Sequence, residues 1–258
     1  HIPVYHGMDR PLVQPLLNAF DTHGTSGLGY ANLPEPATQA QPEHAVDFII
    51  NKVLESPGEI TIVAVGPLTN LAMAIRREPA VIKAINALYI MGGAVKVGGN
   101  VTPQAEFNIY CDPHAAHIVL NADIPTFMAP LDVTYQTLLR AEQVEQLQKT
   151  PSRVTQFVAD AGRYVMEFLM ESQDVRGVAL NDPLALAMVF APDLVKTYPY
   201  YVGVDVSCGV SMGKTFADFY NVEHQSHRVH VGLEVDADGF VDLFVKRIND
   251  LAAKLTIG

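Results

Sequence analysis

A chain of 258 residues, 49% of them hydrophobic, holds enough apolar material for a large core, and it suits one α/β domain over residues 1–258 better than two small ones. The formal net charge of −11 and a pI near 5.2 set up a field that repels phosphate, which argues against non-specific binding to nucleic acid or to an anionic membrane. Cys111 and Cys208 are too few for a disulfide framework and sit in no CxxC or Cys/His metal spacing, so a reducing compartment is expected; no apolar run approaches the roughly 18–20 residues of a membrane span.

In chain order, Ile2-Pro3-Val4-Tyr5 reads as a strand. Residues 44–55 place Val46, Ile49, Ile50, Val53 and Leu54 on one helical stripe, and Ile60 to Val65 is a short apolar run of the kind buried in a parallel sheet. Gly66-Pro67 punctuates the turn, and Leu68 to Arg77 is a helix that Glu78-Pro79 stops. Ala87 to Met91 is the next strand. Just beyond it, the stretch from Gly99 to Pro113 concentrates Asn100, Glu106 and Asn108 where open parallel sheets bind small molecules. These donors and acceptors suit a polyhydroxylated ligand such as a sugar.

Asp112-Pro113 supplies an N-cap and a first-turn proline for a helix running to Asn121. Ile124 to Met128 is again a strand, and a helical region from Ala141 to Ser172 is broken near Thr150-Pro151. Asp182-Pro183 opens a buried helix that ends at Phe190. Tyr201 to Val206 and Arg228 to Val235 alternate as strands, Asp236-Ala237-Asp238-Gly239 reads as a turn and N-cap, and Phe240 to Leu255 forms a final helix. These elements predict a Rossmann-like α/β fold: a mostly parallel open sheet with helices on both faces and antiparallel strands near the C-terminus. The loops after Val65, Met91 and Met128, at the carboxyl ends of strands, are where the chemistry is expected.

Five phrases in order carry a resemblance: Asp21-Thr22-His23-Gly24 with Gly27-Leu28-Gly29, Val65-Gly66-Pro67-Leu68-Thr69-Asn70, Met91-Gly92-Gly93, Ala105-Glu106-Phe107-Asn108-Ile109 with Asp112-Pro113, and Asn181-Asp182-Pro183. The chain resembles the inosine-uridine preferring nucleoside hydrolases, which cleave the N-glycosidic bond of ribonucleosides with a bound calcium ion. The resemblance implies that the Asp182 carboxylate and the Val65 carbonyl are calcium ligands. It implies that Asn100, Glu106 and Asn108 hold the ribose hydroxyls, with Met91 beneath the sugar, Phe107 shaping the wall and His23 near the base or the 5′ side. Asn108 would also stabilise the cationic sugar of the transition state. A homodimer or homotetramer in the cytoplasm, serving nucleoside salvage, is the family expectation.

Two departures stand out. The family's opening Asp-x-Asp-Pro-Gly-x-Asp-Asp cluster has no counterpart in the chain, which begins at His1, so the expectation is that an N-terminal strand and its acidic cluster are missing upstream and that the chain as written cannot complete a metal site. Asn181 stands where many relatives carry a histidine acid, and an amide has no proton to give at neutral pH. Both leave open an alternative: a non-catalytic nucleoside- or ribose-binding protein of the same fold. Apart from the resemblance, Glu106 and Asn108 read as a solvated loop, Asp182 as a helix N-cap, and Asp132 and Thr134 as support for the adjacent loop. His114, His117, His224, His227 and His230 show no ligand spacing.

Overall fold

The apolar runs picked out by periodicity become strands of one sheet. In the computed structural model, which describes residues 2–226 and 228–256, the elements begin with α1 (Phe20–His23), α2 (Ala45–Glu55), β1 (Ile60–Ala64), α3 (Thr69–Arg77), α4 (Val81–Ala84) and β2 (Ile85–Met91). They continue through α5 (Phe107–Cys111), α6 (Pro113–Leu120), β3 (Thr126–Ala129), α7 (Leu131–Thr134), β4 (Leu138–Leu139), α8 (Ala141–Gln148), α9 (Arg153–Gln173) and β5 (Val178–Ala179). Last come α10 (Asn181–Phe190), β6 (Val195–Tyr200), β7 (Val202–Val204), β8 (Thr215–Ala217), β9 (Val229–Val235) and α11 (Ala237–Thr256).

The chain divides into two compact units. The first comprises the chain up to Leu16, Pro36–Val133 and Leu184–Val235. It holds a five-stranded sheet in the order β1-β2-β3-β9-β6, with β1, β2, β3 and β9 parallel and β6 antiparallel to β9. Successive residues of a strand face opposite sides. Leu88, Ile90, Met128, Val229 and Val231 turn into a core that also takes Val53 of α2, Leu71 and Ile75 of α3 and Val119 of α6. The alternate residues Tyr89, Phe127 and His230 stack as a row across three strands, ring centroids 4.8 and 4.9 Å apart. Leu88, Met128 and Val231 are fully buried, and truncating such a side chain to alanine costs about 2–5 kcal/mol.

Asp112 caps α6 by accepting the N–H of Ala115 at 3.0 Å, with Pro113 in the first turn, as its sequence position predicts. Its other oxygen accepts the N–H of Leu12 at 2.9 Å and the Thr69 hydroxyl at 2.7 Å, so one fully buried carboxylate joins the early loop, α3 and α6.

The second unit comprises Leu17–Glu35, Thr134–Pro183 and the chain from Asp236. The helix α9 packs against α1, α8, α11 and β5. Ser152 and Thr155 cap it reciprocally, each side chain satisfying the other's backbone N–H at 2.9 and 3.1 Å. Asp236 takes the N–H of Gly239 at 3.0 Å, which confirms the turn and cap read from the sequence.

The mostly parallel sheet, the helices around it and the antiparallel addition near the C-terminus are all present. Two local readings are corrected. Ile2 to Tyr5 is no strand: Ile2 and Val4 are 84% and 54% exposed, only Tyr5 forms a bridge, to Gln41, and its ring stacks on Phe48 at 4.0 Å. Tyr201 to Val206 shortens to β7 and pairs with β8, while the antiparallel strand of the main sheet is β6. Lys196 and Pro199 interrupt the apolar pattern of β6, and proline is admitted because the strand lies at the sheet edge. Among the described residues no helix is long and apolar enough to cross a membrane. His227 lies outside the described residues.

Candidate active site

Parallel strands bring their carboxyl ends to one rim, and in the first unit that rim carries Val65 after β1, Met91 at the end of β2 and Asp132 beyond β3. Ala64 is in register with Ile90, so Val65 and Met91 occupy neighbouring positions. Val65 is 42% exposed and Met91 is buried.

Three of the expected residues form one hydrogen-bonded group. Glu106 is 2% exposed and caps α5: Oε1 accepts the N–H of Asn108 at 2.9 Å, and Oε2 accepts those of Ile109 at 3.1 Å and Gly93 at 2.9 Å. The carboxylate thereby ties the first turn of α5 to the turn after β2. Held there, Asn108 points its amide Nδ2 at the Met91 carbonyl, 3.1 Å away, and at the Met91 sulfur, 3.2 Å away. Asn100 is exposed and accepts the N–H of Phe107 at 2.9 Å, which brings both to the mouth of this group.

His23, Asn181 and Asp182 lie in the second unit. His23 ends α1, and desolvation holds its imidazole below the usual histidine range although part of it remains accessible; at neutral pH it is therefore a neutral donor and acceptor. Asn181 opens α10, and its Oδ1 is buried with no hydrogen-bond partner. Asp182 retains accessible surface, yet the protein around it displaces enough water to push its carboxyl above the usual aspartate range, and desolvation is the only cause.

A carboxylate and an orphaned amide oxygen on consecutive residues are donor types that suit a cation. The fit to calcium is nevertheless incomplete: the ion takes six to eight oxygens, and among the described residues no group of three His, Cys, Asp or Glu side chains is placed to hold a metal.

A model of the family described as "Inosine-uridine preferring nucleoside hydrolase" matches residues 1–242. The chain belongs to this family. Among curated relatives, the nucleoside hydrolase chain is 38% identical to the pyrimidine-specific ribonucleoside hydrolase RihA of Citrobacter koseri over 248 residues, which cover 96% of this chain and 79% of that one. It superposes on the purine-preferring ribonucleoside hydrolase from Gardnerella vaginalis with a TM-score of 0.90 at 32% identity, covering 97% of this chain and 81% of that one. A plant nucleoside hydrolase, the PpNRh1 enzyme, gives a TM-score of 0.91 at 32% identity over 96% of this chain and 80% of that one.

At the same rim, Asp132 meets the expectation of loop support by accepting two backbone N–H groups of the loop after β2. Thr134 is fully buried, its hydroxyl without a partner, and its carbonyl takes the Thr137 hydroxyl at 2.8 Å. Sequence reasoning missed Thr215, which bonds the same loop from β8. No local pattern marks so short a strand, and its partner in the loop is 121 residues away.

Proposed function

We propose that this chain hydrolyses the N-glycosidic bond of ribonucleosides, releasing ribose and the free base. The observation that carries the reading is the Met91–Glu106–Asn108 group at the carboxyl rim, within a chain that belongs to a nucleoside hydrolase family. With Asn108 donating to Met91, its amide oxygen is the dipole available to a ribose hydroxyl and to the positive charge that develops at C1′ as the bond to the base breaks. Water adds its oxygen to C1′, and the base leaves with the proton that the water gives up. Asn181 contributes hydrogen bonds to the departing base and no proton, because an amide does not ionise near neutrality. We further propose calcium as the cofactor, with Asp182 and the Val65 carbonyl among its ligands and nucleoside salvage as the role. Since these donors fall short of a full coordination shell, no step is routed through the ion.

One observation favours a second reading, a nucleoside- or ribose-binding protein: among the described residues no group of three His, Cys, Asp or Glu side chains is placed to hold a metal ion. Incubation with uridine and inosine, with reducing sugar measured, separates the two. Ribose release that is lost on chelation and in Asp182→Ala supports the hydrolase. Calorimetric nucleoside binding without release supports the binder, and neither release nor binding overturns both.

A further inference from the structure

The loop that follows β2 has no regular structure, yet every backbone N–H from Gly93 to Lys96 is taken by a buried side chain. Gly93 donates to Glu106 Oε2 at 2.9 Å, Ala94 to Thr215 Oγ1 at 2.8 Å, Val95 to Asp132 Oδ2 at 2.9 Å and Lys96 to Asp132 Oδ1 at 2.8 Å. The Thr215 hydroxyl also donates to the Ala94 carbonyl at 2.9 Å, so one atom engages both backbone polar groups of a single residue, in the two successive peptide groups that flank its Cα. The Gly93 carbonyl in turn accepts the N–H of Leu131 at 2.9 Å. Gly93 itself has φ +83°, a backbone conformation strained for any other residue, and a Cβ there would also crowd Met128 Cε and lie 2.9 Å from Thr215 Oγ1.

These bonds matter because of where they are. Thr215 is 1% and Asp132 9% exposed; in such surroundings a hydrogen bond is electrostatically stronger than in water, and an unmet N–H is costly. Two of the four acceptors are oxygens of one carboxylate, which makes those bonds charge-assisted. The loop leads straight back to Met91, whose carbonyl and sulfur set the direction of the Asn108 amide. A loose loop would let that carbonyl wander, and misplacement by about 1 Å costs on the order of a hundredfold in rate where a reaction depends on alignment.

We propose that Asp132 and Thr215 are positioning residues: they hold Gly93 to Lys96 rigid, so that Met91 and Asn108 meet the ribose as a preformed surface. Neither residue touches the sugar. The catalytic consequence rests on the hydrolase reading above, whereas the rigidity of the loop does not.

The test compares Thr215→Val, which keeps the shape and loses the hydroxyl, with Thr215→Ser, which keeps the hydroxyl, and adds Asp132→Asn. Deuterium exchange of the 93–96 amides, thermal midpoints and steady-state ribose release are measured on each. Thr215→Val is expected to speed exchange of those amides and lower kcat by about tenfold or more with KM within about threefold, and Thr215→Ser to restore both to within about twofold of the parent. Asp132→Asn, which turns an N–H2 towards a backbone N–H, moves both readouts the same way. Equal behaviour of the Val and Ser variants, or losses that follow the thermal midpoint in all three, overturns the proposal. If the parent chain releases no ribose, the hydrolase reading fails. The exchange comparison then decides alone: acceleration confined to 93–96 sustains the strapping, and unchanged exchange overturns it.

Discussion

Asp112 and Asp182 are both helix-starting aspartates followed by proline, and their surroundings give them opposite effects on stability. Asp112 is fully buried and meets three donors, so Asp112→Ala strands the Leu12 and Ala115 amides and should cost about 3–5 kcal/mol of unfolding free energy in urea titration. Asp182 keeps accessible surface but is partly desolvated, which pushes its carboxyl up. A carboxyl pushed upward is less comfortable charged in the folded chain than in the unfolded one, so the penalty is fully present at neutral pH. Asp182→Asn should therefore raise the thermal midpoint of the metal-free chain while it abolishes turnover. The thiols make a similar pair. Burial, reinforced by the Glu106 and Asp112 charges, pushes the Cys111 thiol up to about 11, while Cys208 is exposed. At pH 8, iodoacetamide should label Cys208 and spare Cys111, as read by peptide mass. Above the ordinary thiol range the unfolded chain ionises Cys111 first, so stability should fall as pH rises toward about 11. The paired phrase Asp-Pro was legible as a helix start in both places, but only Asp112 is a cap, since Asp182 lies inside the first turn of α10. The charge environment that separates them was not, because it is set by Thr69 and Leu12 on one side and by missing donors on the other.

At the level of elements, legibility followed periodicity. The strands β1, β2 and β9 and the helices α2, α3, α6, α9, α10 and α11 each carry an apolar repeat or a cap that local physics can read. The strand β6 does not, since an edge strand tolerates Lys196 and Pro199, and β4, β5 and β8 span two or three residues apiece. The same limit applied to the candidate site: Glu106 and Asn108 were visible as a polar phrase, but the engagement of Glu106 with Gly93, and of Thr215 with Ala94, joins residues with no sequence relation. The break between α8 and α9 was read from Thr150-Pro151, and the structure adds the reciprocal Ser152–Thr155 cap. Ser152→Ala removes that cap and should cost about 1 kcal/mol, seen as a lower urea midpoint with an unchanged slope.

Across the whole molecule, neither unit is a continuous stretch of chain. The second unit draws α9 from the middle and α11 from the end, so deleting residues 237–256 should expose the α11-facing side of α9 and lose more helical circular dichroism than the 20 deleted residues carry. The first unit shows the same interleaving in its sheet, where β9 lies between β3 and β6 although it is the last strand to be made. As the polypeptide leaves the ribosome, β3 keeps a bare hydrogen-bonding edge until Val235 has emerged, and β6 has no partner in the main sheet until then. Slow, non-local pairing of this kind is the stage at which nascent chains associate wrongly, so this interval is where the strand order leaves the growing chain most open to misassembly.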